Sequence, residues 1–106
     1  MTKYSAKHGL HIGGLVALAF AGADHYLLVV THSGRGVFDL DSGECVARDR
    51  TVLYPQEGSI AGLGPLQGEP ITVAEYNFED DLVLESENGR YRVVGDSSFL
   101  VVEEAD

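Results

Sequence analysis

Short apolar runs and turn sequences follow one another through residues 15–49 with almost no connecting residues between them. The segment reads LVALAF, AGAD, HYLLVV, THSGRG, VFDL, DSGE and CVARD. Apolar runs of this length, separated by short polar or glycine-containing stretches, are typical of strands joined by tight hairpins. The segment therefore predicts an antiparallel meander of four short strands.

Two patterns inside this segment predict how its strands are packed. Residues 26–30 read YLLVV without a polar interruption, which is typical of a strand covered on both faces. We expect this to be the central strand. In residues 16–20 larger apolar side chains alternate with Ala17 and Ala19, so the small side chains share one face of their strand. A second layer should therefore pack closely over that alanine face.

The second half of the chain returns to strand-like runs. Asn88 and Gly89 separate two of these runs, and the Asn-Gly dipeptide favours the primed turn of a tight β-hairpin. The strands are predicted at residues 71–76, 82–86, 90–94 and 99–103.

Two segments lack a periodic pattern. Residues 1–11 are polar and are predicted to form a flexible start or a short edge strand. Residues 49–70 are rich in glycine and proline and are predicted to form a long crossing loop. A connection of this length is uncommon in a small domain unless it packs on the sheet or binds something. The loop is therefore a candidate functional surface.

These patterns together predict an all-β fold. Residues 1–106 are long enough for one hydrophobic core, and 44% of them are hydrophobic. We expect a single small domain of seven or eight short antiparallel strands. Blade-like meanders would form either a sandwich or a strongly curled sheet.

Residues 15–44 resemble a single blade of a WD-repeat or quinoprotein-type β-propeller. The likeness rests on VALAF at residues 16–20, DHYLL at 24–28, GRGVFD at 34–39 and SGE at 42–44. The resemblance implies a blade-like meander of four strands. Because propellers chiefly serve as interaction platforms, it also implies a binding role.

The net charge of the chain restricts the classes of molecule that it is expected to bind. There are 17 acidic side chains against seven Lys and Arg, which gives a formal net charge of −10. A field of this sign repels phosphate backbones and anionic membrane surfaces. We therefore expect no nucleic acid and no membrane as a partner, and the sequence has no apolar run of membrane-spanning length.

The cysteine content indicates a reducing compartment. Cys45 is the only cysteine, so the chain can form no internal disulfide and cannot complete a structural zinc site with thiolates. We therefore expect the cytoplasm. Residues 3–23 also imitate a secretory signal, because two lysines precede an apolar run and a small-residue segment. Against this alternative, Gly13 and Gly14 interrupt the run, and the alternation at residues 16–20 suits a strand.

The densest acidic segment of the chain begins at residue 75 and predicts a docking surface for a basic protein. Aromatic residues within and near it would serve as anchors, since aromatics in a polar rim often carry binding energy. The predicted binding residues are Glu75, Tyr76, Phe78, Glu79, Asp80, Asp81, Glu85 and Tyr91. A small acidic cytoplasmic domain of this kind would suit an immunity or inhibitor protein directed against a basic toxin.

Two other classes of function stay open. Signatures of catalysis are scarce, so we expect no enzyme, no cofactor and no metal site. The first alternative is a small-molecule or metal binder that uses the 55–70 loop and the histidines at positions 8, 11, 25 and 32. The last two histidines are predicted at opposite ends of one strand, more than about 20 Å apart. The second alternative is a self-associating structural protein, a homodimer joined through an open strand edge or the alanine face.

Overall fold

Strands account for nearly all the regular structure in the computed structural model, which describes residues 3–50, 59–75 and 81–106. These ranges contain one turn of 3-10 helix, Gly64–Leu66, and no helix that is long and apolar enough to span a bilayer. The strands are β1 (Tyr4–His11), β2 (Leu15–Ala21), β3 (Tyr26–Thr31), β4 (Gly34–Asp39), β5 (Cys45–Asp49), β6 (Ser59–Ala61), β7 (Pro70–Thr72), β8 (Ala74–Glu75), β9 (Leu82–Glu85), β10 (Tyr91–Gly95) and β11 (Phe99–Ala105).

All strand pairings are antiparallel. One sheet has four strands in the order β1-β11-β10-β9, and a second has five in the order β5-β4-β3-β2-β8. The short strands β6 and β7 pair with each other. The all-β class is therefore confirmed. Strands β2 to β5 are neighbours in chain order, which confirms the blade-like meander, and β3 is the middle strand of its sheet as predicted.

The described residues hold eleven strands, where seven or eight were expected. The run predicted as one strand at residues 71–76 is divided into β7 and β8 at Val73, and residue 76 lies outside the described ranges. The other additions are β1 at the start of the chain and β6 within the predicted crossing loop.

The two larger sheets pack face to face as a sandwich, which decides between the two predicted arrangements. Leu18 and Leu27 of the five-stranded sheet share one buried cluster with Val93, Leu100 and Val102 of the four-stranded sheet. Each of these five side chains is at most 1% exposed. Burying one side chain of this size stabilises a fold by about 1.5–3 kcal/mol. This inner core therefore holds the two sheets together.

A third layer covers the outer side of the five-stranded sheet. Ala17 and Ala19 of β2 are buried there in a cluster with Leu66 and Ile71. Leu66 belongs to the 3-10 turn and is fully buried, although the residues around it in sequence are exposed. The small alanine side chains allow this segment to approach the sheet closely. The predicted layer over the alanine face is therefore confirmed.

One residue of β2 faces the opposite way from its prediction. Strict alternation predicted Val16 on the same face as Leu18 and Phe20. The strand pairing has an irregularity between Leu15 and Ala17, a β-bulge that inserts one extra residue. Val16 therefore packs with the outer alanine cluster, whereas Leu18 and Phe20 contact the inner core.

Strand β3 is buried on both faces, as its unbroken apolar sequence predicted. Leu27 and Val29 belong to the inner core, and Leu28 and Val30 belong to the outer cluster. All four are at most 1% exposed. The middle of the five-stranded sheet is therefore covered by the four-stranded sheet on one side and by the third layer on the other.

The start of the chain forms an edge strand. β1 pairs with β11 from Tyr4 to His11, so of the two predictions for residues 1–11 the structure shows the edge strand and not the flexible segment. The pairing shifts register between Ala6 and His8, which breaks the alternation that would have marked a strand in the sequence. Leu10 is the buried residue of this strand.

The predicted crossing loop at residues 49–70 is described only in part, because residues 51–58 lie outside the described ranges. The remainder is not a loop without structure, and the prediction is corrected there. β6 and β7 form an antiparallel pair, and Leu66 between them enters the outer core. Single apolar residues spaced among glycines and prolines give no hydrophobic periodicity, so the sequence pattern did not indicate this layer.

The β9–β10 connection is a hairpin, but its predicted primed turn is wrong. Such a turn needs a positive φ at both central residues, and Asn88 does not have one. Instead, Gly89 N–H donates to Ser86 O at 3.0 Å, and Arg90 N–H donates to Asn88 Oδ1 at 2.9 Å. Side-chain hydrogen bonds thus build a longer loop than the dipeptide alone indicated.

A carboxylate at the edge of the sandwich makes stability depend on pH. Glu104 Oε2 accepts hydrogen bonds from Lys7 Nζ and from Arg90 Nε and Nη2, each at 3.2 Å. Lys7 also reaches Asp41 of the other sheet, with 3.4 Å between Nζ and Oδ1. The hydrogen bond from Lys7, and then that from Arg90, hold the pKa of Glu104 below its ordinary value.

The substitution Glu104→Gln is expected to make stability less dependent on pH on the acid side. A carboxylate with a lowered folded pKa contributes stability above its unfolded pKa and loses it as pH falls through the folded pKa. Urea unfolding at neutral pH and at about pH 3 should therefore show a smaller loss in the variant than in the wild type. Glu44→Gln is the control, since the exposed Glu44 side chain makes no ion pair or hydrogen bond within the described residues. Equal losses in wild type and Glu104→Gln would contradict the expectation.

Candidate functional site

A groove opens at the end of the sandwich where the β2–β3 turn of one sheet faces β9 of the other. Its volume is about 300 Å³, at the lower end of the range for ligand pockets. The described residues that line it include three carboxylic acids and no Lys, Arg or His. We name this cleft the acidic groove and define it by Phe20, Asp24, Ala74, Leu84, Glu85 and Glu87.

The three acidic residues come from both sheets. Asp24 lies in the β2–β3 turn, whereas Glu85 ends β9 and Glu87 is exposed in the loop that follows. Asn88 N–H donates to Asp24 Oδ2 at 3.0 Å and so connects the two turns. Glu85 is exposed and lies opposite Arg92 in the strand pairing. Negative charge therefore borders the groove from two sides.

The turn that carries Asp24 has an unusual backbone. Ala23 and Asp24 have φ values of 55° and 64°, and His25 N–H donates to Gly22 O at 3.2 Å. Gly22 before them has a φ of 61°, so three successive residues of this four-residue connection have a left-handed backbone. Left-handed backbone costs about 1–2 kcal/mol for an ordinary L-residue. The pairing of β2 with β3 holds this turn and thereby fixes the position of Asp24.

The floor of the groove is apolar and one of its walls is an open strand edge. Phe20 and Leu84 are half-buried and pack at the margin of the inner core. β9 is the last strand of its sheet, and no described strand pairs with its outer edge. Val83 in the middle of β9 is 62% exposed. The groove thus adjoins unpaired backbone hydrogen-bonding groups, to which an extended segment can pair.

The structure places part of the predicted binding set near this groove. Glu85 lines it, and Asp81 is exposed immediately before β9. Glu75 belongs to β8, which pairs with β2 beside the groove. The other acidic and aromatic residues predicted between β8 and β9 lie outside the described ranges, and these are Tyr76, Phe78, Glu79 and Asp80.

Tyr91 was predicted as an exposed aromatic anchor, and the structure corrects this. Its side chain is 4% exposed and belongs to the inner core. Lys7 Nζ and the Arg90 guanidinium lie 5.7 Å and 5.2 Å from the centre of its ring. Burial raises the pKa of the Tyr91 phenol. A ring enclosed in this way is a core residue and not a contact for a partner.

Of the six residues that define the groove, only Glu85 was among the predicted binding residues, and Asp24 and Phe20 show why the others were missed. Asp24 is about sixty positions from Glu85 in the sequence, and it reads locally as a turn residue. Phe20 ends an apolar run and reads as core. The sequence signal that could have found Asp24 is its place in the short AGAD segment between two apolar runs, which indicates a hairpin connection.

The four histidines do not form a common site. His8 Nε2 lies 3.0 Å from Leu40 O, and the His11 ring packs against an aromatic ring with 4.8 Å between centroids. His25 and His32 are exposed in the turns at the two ends of β3. Within residues 3–50, 59–75 and 81–106, no three His, Cys, Asp or Glu side chains are grouped as metal ligands would be.

Comparison with known proteins gives no match to this chain among family models, curated proteins or solved structures. The function of this chain is therefore inferred from the geometry and the charge of its surfaces.

Proposed function

We propose that this protein is a non-catalytic binding module that captures a basic protein at the acidic groove. The observation that carries the proposal is the meeting of Asp24, Glu85 and Glu87, from two different sheets, around one groove with an apolar floor. No cation among the described lining residues neutralises them. Lys or Arg side chains of a partner would supply the missing charge, and the chain's net charge of −10 would speed their approach.

The open edge of β9 supports a particular mode of binding. An extended partner segment could add to β9 as a further strand, because its backbone would satisfy the unpaired groups of that edge. Side chains on one face of such a segment would lie over Phe20 and Leu84, where the groove is apolar. Alternate basic residues would then lie near the carboxylates. The proposal therefore describes the partner segment as extended, basic and alternately apolar.

The compartment in this proposal is the cytoplasm. Cys45 is the single cysteine of the chain and is half-buried, so it can form no disulfide within the protein. Reducing conditions suit a domain that is stabilised without an internal disulfide.

A peptide of alternating arginine and valine tests the groove directly. We expect isothermal titration to show saturable binding that weakens as salt rises, because exposed charge pairs are screened. The double variant Glu85→Lys with Glu87→Lys should weaken binding about tenfold or more. The matched control is Glu44→Lys with Glu69→Lys, which changes the same two charges at exposed positions outside the groove.

The control distinguishes a site from a general charge effect. Both double variants raise the net charge from −10 to −6, so a nonspecific attraction would weaken equally in the two. We expect the control variant to bind within about twofold of the wild type. Equal weakening of both variants, or binding that does not respond to salt, would contradict the proposed docking surface.

A further inference from the structure

A second cleft, at the opposite end of β3 from the acidic groove, is lined by several arginine residues. Its volume is about 330 Å³, again within the lower range for small-molecule sites. Three of the seven Lys and Arg residues of the chain line it, together with one acidic residue. We name it the arginine cleft and define it by His11, Val29, Gly36, Phe38, Arg48 and Arg50.

Two of the arginines in this cleft have no acidic partner among the described residues. Arg35 is paired with Asp49, with 3.2 Å between Nε and Oδ1, so this pair contributes no net charge. Arg48 and Arg50 are exposed and form no ion pair within the described part of the chain. The formal charge of the lining is therefore +2 with His11 neutral.

Among the described residues, four of the seven basic side chains form an ion pair, and Arg48, Arg50 and Lys3 do not. Lys7, Arg90 and Arg92 each form an ion pair with Glu103 or Glu104. With 17 acidic side chains against seven basic ones, most cations find a carboxylate. Arg48 and Arg50 instead lie two positions apart, a spacing of about 7 Å along an extended chain. Two like charges kept this close without a counter-ion favour an anion between them.

The shape of the cleft indicates what kind of organic group the anion carries. Gly36 and Phe38 line the cleft and are only half-buried, whereas Val29 beside them is 1% exposed. A side chain at Gly36 would meet the Phe38 ring at 3.3 Å and Cys45 Sγ at 3.7 Å. The absence of a side chain at Gly36 therefore leaves space in the cleft beside the Phe38 ring. Such a space suits a small flat or apolar group.

We propose that the arginine cleft binds a small phosphate ester, with the phosphate held by Arg48 and Arg50 and the organic body on Gly36 and Phe38. A phosphate monoester carries a charge near −2 at neutral pH, which matches the charge of the cleft. Guanidinium groups bind phosphate oxygens with two parallel hydrogen bonds, a geometry that lysine cannot provide. This site is separate from the acidic groove and does not depend on the function proposed for it.

Titration of the isotope-labelled full chain with phenyl phosphate and with inorganic phosphate, at constant ionic strength, tests the site. We expect saturable chemical-shift changes of the backbone amides of Gly34, Gly36 and Arg48. Phenyl phosphate should bind more tightly than inorganic phosphate, because only the ester has a ring to place on Phe38. The double variant Arg48→Gln with Arg50→Gln should weaken phenyl phosphate binding about tenfold or more.

The control removes the same charge elsewhere. Lys3→Gln with Arg90→Gln takes two positive charges from exposed positions outside the cleft and should leave binding within about twofold of the wild type. The spectra also show whether each variant keeps its fold. Equal weakening of both double variants, shifts that do not saturate, or shifts that follow protein concentration instead of phosphate would each overturn the proposal. The last result would mean that a second copy of this chain occupies the cleft.

Discussion

Replacement of Leu28 with alanine is expected to lower the free energy of unfolding by about 2–5 kcal/mol, the range for removing a large side chain from a packed core. Leu28 is fully buried on the outer side of the central strand, against the cluster that includes Leu66 and Ile71. The loss is large because small domains are stabilised by only about 5–15 kcal/mol in total. Urea unfolding followed by circular dichroism measures it, since the chain has no tryptophan.

This substitution tests the third layer specifically. In a sandwich of two layers Leu28 would face solvent, and its truncation would change stability by less than about 0.5 kcal/mol. Val83→Ala provides that comparison, because Val83 is 62% exposed on the edge strand β9. Similar small effects for the two variants would show that residues 62–73 do not cover the sheet in solution.

The substitution Gly34→Ala is expected to destabilise the fold by about 3 kcal/mol or more, through backbone strain and a direct clash. Gly34 begins β4 with a φ of 141°, which an L-residue adopts only with strain. A Cβ atom there would lie 2.2 Å from the carbonyl oxygen of Asp49 and 3.0 Å from the Cα of Arg50. The end of β5 would have to move away from β4. The same unfolding measurement applies.

Gly68 supplies the matched control for this prediction. Its φ of 89° is also left-handed, but no atom lies within 4 Å of a Cβ placed there. Gly68→Ala should therefore show the backbone strain without the clash, a loss of about 1–2 kcal/mol. An equal loss in the free energy of unfolding for Gly34→Ala and Gly68→Ala would show that β5 does not approach Gly34 closely in solution. Because β5 carries Arg48, Gly34→Ala should also disturb the arginine cleft.

The parts of the fold that the sequence predicted are those with a strong local pattern. The unbroken apolar run of β3 indicated burial on both faces, and Ala17 and Ala19 indicated a closely packed layer. Both signals arise within a few residues, because a strand alternates its side chains between two faces. Hairpin sequences between the runs then fixed the order of β2 to β5.

The elements that the sequence missed or left open between alternatives depend on distant residues. β1 is polar on most positions and becomes a strand because β11, at the other end of the chain, supplies its hydrogen bonds. Leu66 is a lone apolar residue between glycine and proline neighbours, and it is buried only because β2 presents small side chains to it. No window of neighbouring residues contains either contact. These pairings are tertiary and override local propensity.

The candidate sites were harder to predict than the fold for the same reason. Asp24 and Glu87 meet only because a turn of one sheet lies beside a turn of the other. Tyr91 was predicted as an anchor because it is an aromatic residue near the acidic segment, but its ring is buried in the inner core. Arg48 precedes Asp49 in the sequence but forms no ion pair within the described residues, and this is a property of the folded surface that its sequence position does not show.

The hydrogen bond from Asn88 to Asp24 lies where the two sheets meet at the acidic groove, and it joins a turn of one sheet to a turn of the other. The Asp24 carboxylate, which a basic side chain of a partner would bind, already accepts a hydrogen bond that connects the two sheets. A partner that binds the Asp24 carboxylate replaces the hydrogen bond from Asn88 with its own, and the connection between the two turns is then lost. Occupancy of the surface and separation of the layers at that end are therefore linked, so this end of the sandwich would loosen as the partner settles.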